Sequence, residues 1–254
     1  SYQNITFVPW TSSNSLPQSG SYCLTNNVTV TSYTPVSGTL NLLLNGHSIT
    51  GTHSTGSSWS IFSVQANAIL NLYDQNNTGK MTVTGKSQCI SLADSTGTFN
   101  MYGGWITGCN SALTQVISVY HGNFNMYGGK ITGNNVSSSD NAYYAVVKID
   151  ANGHFSLNGD AVIEGNNSPD ICMSIDSGSG TVTINRAGYT CTYTTENSTT
   201  SNNFIKKANI KLNWVPNSYT VSFNTNGGNN VSPTSKTVTY DSTYGDLPTP
   251  TRSG

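Results

Sequence analysis

A twelve-residue segment of this chain occurs twice, and this repetition constrains the fold more than any other feature of the sequence. Residues 99–110 read FNMYGGWITGCN and residues 124–135 read FNMYGGKITGNN, an offset of 25 residues. A looser copy, FSLNGDAVIEGNN, spans residues 155–167. Apolar and polar residues alternate within each copy, which is the periodicity of a β-strand and not of a helix. Repeats of this period are typical of solenoids, so the chain is predicted to stack strands in coils.

Single apolar anchors extend the repeat along most of the chain. They are Leu40, Leu70, Phe99, Phe124, Phe155 and Val182, separated by 30, 29, 25, 31 and 27 residues. A unit of this length cannot bury its own apolar face, so it has to stack on its neighbours. We therefore predict an all-β fold in which residues 1–213 form a right-handed parallel β-helix of about six coils, with an N-terminal cap assigned to residues 1–38 together with the first coil. Polar loops are expected at 52–60, 76–79, 136–143 and 192–203, and coiling is expected to end near Leu212.

The coils resemble a known group of bacterial proteins. The stretch at 20–51, GSYCLTNNVTVTSYTPVSGTLNLLLNGHSITG, and the FNMYGG copies look like right-handed β-helix repeat proteins that Gram-positive bacteria secrete or display. The resemblance covers roughly the first 210 residues and implies the fold and an extracellular location. It implies no particular activity, because this architecture carries lyases, hydrolases, spike proteins and adhesins alike.

A different pattern begins at Tyr219. The stretch YTVSFNTNGGNNVSPTSKTVTY, followed by a polar tail, resembles the Listeria–Bacteroides repeat, a small β-grasp-like module found in tandem on bacterial surface proteins. The pattern of that family continues with an aromatic strand beyond the RSG at 252–254, so we expect residues 219–254 to be a truncated copy. The resemblance implies a secreted or cell-wall-associated protein.

Composition narrows the class of partner. Only 8% of the residues are charged and the formal net charge is −1, which argues against nucleic acid, whose binding needs basic charge. No apolar run approaches the length of a membrane span, so no membrane insertion is expected. The five cysteines form no CxxC pair, so we expect buried free thiols, no metal site and no cofactor. The chain is expected to be a monomer.

The outward positions of the main strand supply the candidate ligand-binding residues. Asparagines share one outward register and tyrosines share the next, so stacked coils should bring each type into a column. Flat rings with polar tips beside amides suit the apolar faces and hydroxyls of sugars. The alternative interpretation is that the rings pack on each other and the amides form a structural ladder. The candidate residues are Tyr73, Tyr102, Tyr127, Asn100, Asn125 and Trp105.

A second cluster would support catalysis. Asp150 and Asp176 each end a strand before a turn, so adjacent coils would separate their carboxylates by about 5 Å, the spacing used by retaining glycosidases. Lys148 and His121 lie nearby, and Ca²⁺ would be a cofactor only under this enzymatic interpretation. The alternative is a solvated salt-bridge cluster that closes turns.

These observations favour a bacterial surface protein that binds a glycan or a host-surface component, in the manner of an adhesin, without a catalytic site. A polysaccharide lyase or glycoside hydrolase is the first alternative. A structural spacer that projects other domains is the second.

Overall fold

The computed structural model describes residues 4–53, 59–94, 96–113, 115–137, 143–174, 179–201 and 204–252. Within these residues the regular structure consists of strands, with no helix. The first ten strands are β1 (Val8–Trp10), β2 (Gly20–Leu24), β3 (Val28–Val30), β4 (Thr34–Val36), β5 (Thr39–Leu43), β6 (Ser48–His53), β7 (Trp59–Val64), β8 (Ile69–Tyr73), β9 (Lys80–Gly85) and β10 (Ser87–Leu92).

The middle of the chain continues the same pattern of short strands. These are β11 (Thr98–Met101), β12 (Trp105–Thr107), β13 (Asn110–Ser111), β14 (Ile117–Val119), β15 (Asn123–Met126), β16 (Lys130–Thr132), β17 (Asn135–Val136), β18 (Val147–Asp150), β19 (His154–Gly159) and β20 (Val162–Ile163). The last strands are β21 (Ile171–Ser174), β22 (Thr181–Arg186), β23 (Tyr189–Ser201), β24 (Phe204–Pro216), β25 (Ser218–Ser222) and β26 (Ser235–Thr239).

Three eight-stranded sheets form the walls of a parallel β-solenoid. Sheet A has the order β1-β2-β5-β8-β11-β15-β19-β22, and sheet C has the order β23-β24-β21-β18-β14-β10-β7-β4. Sheet B contains β3, β6, β9, β12, β13, β16, β17 and β20. Each coil passes through A, B and C in turn and pairs in parallel with the coils before and after it. The predicted all-β parallel coil is confirmed.

The predicted inward stacks also match the structure. Phe99, Phe124 and Phe155 are register partners in sheet A, and all three are buried. Their ring centroids are 4.8 Å and 4.9 Å apart along the column. Two positions further on, Met101 and Met126 continue the buried face, so the alternation found in the sequence is the alternation between core and outside.

The solenoid has about five turns, where the anchors predicted about six. The unit that Val182 opens does not close into a coil, because β22 is followed by the antiparallel hairpin β23–β24. The sequence also placed a polar loop at 192–203, and this was wrong for the residues that β23 includes. β24 pairs antiparallel with β21, so the hairpin covers the edge that sheet C would otherwise expose.

At the other end of the solenoid, the stretch assigned to the cap together with the first coil includes strands of all three walls. These strands are β2, β3 and β4, which belong to sheets A, B and C. β1 covers the edge of sheet A, and the segment between β1 and β2 offers the carbonyls of Ser13 and Gln18 to the amides of Thr29 and Ser37. These contacts satisfy backbone groups on edges that would otherwise invite pairing.

Residues 218–239 form a separate two-stranded antiparallel sheet, β25–β26. It adjoins the solenoid through Tyr240, whose ring meets that of Tyr189 edge-on at 5.4 Å. The similarity of this stretch to the Listeria–Bacteroides repeat stays a prediction.

Candidate functional site

A glycine bend positions the candidate site between sheets A and B. Gly103–Gly104 and Gly128–Gly129 turn two successive coils, and the second glycine of each pair has a positive φ, +79° and +78°. A Cβ at Gly128 would lie 2.6 Å from the carbonyl oxygen of Tyr102 in the coil below. Only glycine allows coils to stack this closely at the bend. The tyrosines before the bend and the residues after it therefore face a common space.

That space is an open groove of about 410 Å³. Its lining side chains include Asn77, Tyr102, Trp105, Tyr127, Lys130, Asp160 and Val162. Three of the predicted ligand-binding residues thus meet in one depression. We call it the bend groove.

The tyrosine column forms as predicted, but its rings face each other. Tyr73 and Tyr102 stack with centroids 4.9 Å apart and an interplanar angle of 6°, and Tyr102 and Tyr127 stack at 5.1 Å and 15°. Between neighbours the ring faces are thus occupied, and the outward row consists of ring edges and hydroxyls. The expected continuous platform of flat faces is therefore replaced by a stack, as the structural alternative proposed.

Tyr73 does not offer a binding surface. It is 5% exposed, whereas Tyr102 is 37% and Tyr127 is 44% exposed. Phe7 packs edge-on against the Tyr73 ring with centroids 6.0 Å apart, and so covers this end of the column. Burial, and then the neighbouring Tyr102, raise the pKa of Tyr73. The column is open to solvent only at Tyr102 and Tyr127.

The asparagines form a hydrogen-bonded ladder beneath the tyrosines. Asn100 donates from Nδ2 to Oδ1 of Asn71 at 2.8 Å, and Asn125 donates to Oδ1 of Asn100 at 3.0 Å. Ser156 then donates to Oδ1 of Asn125 at 2.9 Å. Because each amide oxygen accepts from the next coil, Asn100 and Asn125 fix the strand register. Their role in ligand binding stays a prediction.

Trp105 lies in a column of cations on the other side of the bend. Its register partners are Lys80 and Lys130, whose Nζ atoms lie 6.0 Å and 5.9 Å from the indole centroid. Lys130 also pairs with Glu164 at 2.7 Å, an ion pair exposed enough to be weak. The bend groove therefore has an aromatic and cationic wall.

The third coil of the repeat contributes an acid that the sequence motif did not assign to the site. Met126 pairs with Leu157, but Lys130 pairs with Val162, so the bend of this coil contains one extra residue. Asp160 lies in this longer bend and lines the groove. The signal in the sequence is the length of the third copy, since FSLNGDAVIEGNN at 155–167 is one residue longer than the two FNMYGG copies.

The proposed catalytic cluster is only partly described. Lys148 and Asp150 lie on β18 and form an ion pair at 3.7 Å, with side chains 13% and 18% exposed. His121 is half-buried, and its ring packs edge-on against Tyr120 at 4.5 Å. Asp176, the second carboxylate of the prediction, lies outside the described residues. The two-carboxylate arrangement accordingly stays a prediction.

Lys148 and Asp150 lie beside a buried thiol. Cys172 is the register partner of Lys148, and burial raises the pKa of its thiol from 9.0 to about 12. Lys148 lowers this pKa and Asp150 raises it. The charged pair is therefore adjacent to a protonated, unreactive thiol.

In the part of the chain that the structure describes, no group of three or more His, Cys, Asp or Glu side chains is arranged to hold a metal ion. No helix in it is long and apolar enough to cross a membrane. Comparisons with protein-family models, with curated proteins and with solved structures find no match to this chain.

Proposed function

We propose that this chain is an extracellular bacterial surface protein that binds glycans, in the manner of an adhesin, through the bend groove. The observation that carries the proposal is the convergence of two exposed tyrosines, an indole, an ammonium and a carboxylate in one open depression. Aromatic rings pack on the C–H faces of sugars, while Lys130 and Asp160 offer a donor and an acceptor for hydroxyls. The extracellular location rests on the resemblance of the repeats to displayed bacterial proteins.

The protonation state of the Tyr102 hydroxyl supports glycan binding in the bend groove. Burial raises the pKa of Tyr102, and the neighbouring Tyr127 raises it further. Near neutral pH the Tyr102 hydroxyl therefore stays protonated and can both donate and accept a hydrogen bond. A groove with several such groups and few charges suits a polyhydroxylated ligand better than a strongly ionic one.

A glycan array compares the unaltered protein with the double variant Tyr102→Ala/Tyr127→Ala. We expect the unaltered protein to bind a subset of glycans and the double variant to lose that binding. The matched control is Tyr33→Ala/Tyr193→Ala, which removes two tyrosines that are 60% and 56% exposed elsewhere on the surface. This control should bind as the unaltered protein does.

The same experiment separates the alternatives. An unaltered protein that binds no glycan would favour the spacer. Cleavage of an array polysaccharide that disappears in Asp150→Asn would favour the enzyme. Binding that persists in the double variant would show that the groove is not the site.

A further inference from the structure

The tyrosine column ends before sheet A does. In the register of β15 with β19, the position next to Tyr127 in the following coil is Asn158. The strand after that, β22, has Asn185 at the same position. The Asn158 amide is turned along its own strand, where Nδ2 donates to Oγ of Ser156 at 3.2 Å. The position that a fourth ring would occupy therefore holds a short side chain that is held close to the sheet.

The solvent exposure of the tyrosines increases along the column toward the coil of Asn158. It rises from 5% at Tyr73 to 37% at Tyr102 and 44% at Tyr127. Tyr127 stacks on Tyr102 with one face, and among the described residues no second ring stacks on the other. The face of the last ring that looks toward the coil of Asn158 therefore carries no aromatic partner among these residues, and Tyr127 is 44% exposed.

The groups around this face differ in chemistry. Lys130 and Asp160 line the groove with opposite charges, and Val162 occupies the register position that holds Trp105 and Lys130 in the preceding coils. A pyranose has an apolar C–H face and a rim of hydroxyls. Its face would pack on Tyr127, and its rim would reach the ammonium and the carboxylate.

We infer that one pyranose ring occupies the place of the missing fourth tyrosine and extends the stack by one member. This inference rests on the proposed function and adds the position of the sugar. It selects sugars with one uninterrupted C–H face, because an axial substituent on that face would hold the ring away from Tyr127. The ligand class is a glycan that presents such a pyranose at a chain end or an accessible branch.

The experiment fills the site with a side chain. Asn158→Tyr supplies the fourth ring and should weaken glycan binding more than tenfold, because the new ring occupies the place of the sugar. Asn185→Tyr is the matched control, since it adds the same ring one coil further on, at an exposed position. The probes are methyl β-glycosides of glucose, galactose and N-acetylglucosamine and their β-1,4-linked oligomers, followed by saturation-transfer NMR and titration calorimetry.

The outcomes distinguish the inferred position of the sugar from the proposed glycan binding itself. Loss of binding in Asn158→Tyr, with retention in Asn185→Tyr, supports the inference, and saturation should appear on the C–H protons of one sugar face. Unchanged or tighter binding in Asn158→Tyr overturns the inference but leaves the proposed function standing, since the sugar then lies across ring edges. If the unaltered protein binds none of the probes, the proposed function fails and the inference fails with it.

A second variant keeps the test valid if Asn158→Tyr does not fold. Tyr127→Leu retains an apolar side chain but removes the ring face, and it should also weaken binding more than tenfold. Retained binding in a folded Tyr127→Leu protein overturns the inference. Melting curves for all variants establish which of them are folded.

Discussion

Replacing Phe124 with alanine tests the stacked core at its centre. Phe124 is fully buried. Its ring stacks on Phe99 with centroids 4.8 Å apart, and it meets the Phe155 ring at 4.9 Å with an interplanar angle of 37°. Truncation of a buried phenylalanine costs about 3–5 kcal/mol, and each aromatic pair contributes about 0.5–1.5 kcal/mol beyond burial. Because strands of three sheets surround the cavity, it cannot collapse, and we expect a loss near the upper end of this range.

A matched variant isolates the stacking contribution. Phe62 on β7 is equally buried but has no ring partner among the described residues. Phe124→Ala should therefore cost about 1–3 kcal/mol more than Phe62→Ala, the sum of two aromatic pairs. Urea unfolding followed by tryptophan fluorescence measures both losses, and unchanged m-values make them comparable.

Two results would refute the reasoning. A loss below about 1 kcal/mol in Phe124→Ala would mean that the ring is not buried, since surface changes stay near 0.5 kcal/mol. Equal losses in the two variants would mean that the column is packed but that stacking itself contributes nothing.

Two further predictions concern the bend and the buried thiol. Gly129→Ala should destabilise the protein more than Gly133→Ala in urea unfolding. Both glycines have a positive φ, so the backbone strain of the substitution is similar. A Cβ at Gly129 would lie 2.5 Å from the carbonyl oxygen of Gly104, whereas a Cβ at Gly133 would lie 3.5 Å from its nearest atom. Equal losses would mean that the coils separate freely at the bend. Because the pKa of Cys172 is raised in the folded protein, the contribution of this thiol to stability is fully present below pH 9.0. It is lost as the pH rises toward about 12, because the unfolded chain releases the thiol proton first. The slope, up to about 1.4 kcal/mol per pH unit, should flatten in Cys172→Ala, and an unchanged slope would contradict burial of the thiol.

The register of the central strands of sheet A could be predicted from sequence because one face of each of β5, β8, β11, β15 and β19 is buried. A shift of one residue would turn the whole apolar set outward, so Phe99, Phe124 and Phe155 have only one consistent alignment. The asparagine ladder and the tyrosine column follow from the same alignment, since they occupy the alternate positions.

The C-terminal hairpin could not be predicted in this way. Residues 189–201 are rich in threonine, serine and asparagine and carry no continuous apolar face, so their sequence favours a loop. They form β23 because β24 pairs with them and with the last strand of sheet C. The available sheet edge, and not local preference, decides this structure.

The repeat pattern also could not predict the burial of Tyr73. The segment LNLY at 70–73 alternates in the same way as FNMY in the next two coils, so it predicts the same exposure. The ring of Phe7, far away in the chain, packs against Tyr73 at that end of the column. A contact between two distant segments produces no periodic pattern in the sequence, so the repeat does not predict it.

The repeat and the proposed site are related through the positions where the repeat changes. Identical residues in successive coils satisfy one another: tyrosine stacks on tyrosine, and asparagine bonds to asparagine. A coil that keeps the pattern therefore leaves little for a ligand to contact. The coil of β19 departs from it by placing Asn158 where a tyrosine would stack and by adding one residue that carries Asp160 into the groove. This departure places a short side chain next to the last tyrosine ring and a carboxylate in the same groove, and ligand recognition on this solenoid should be sought there.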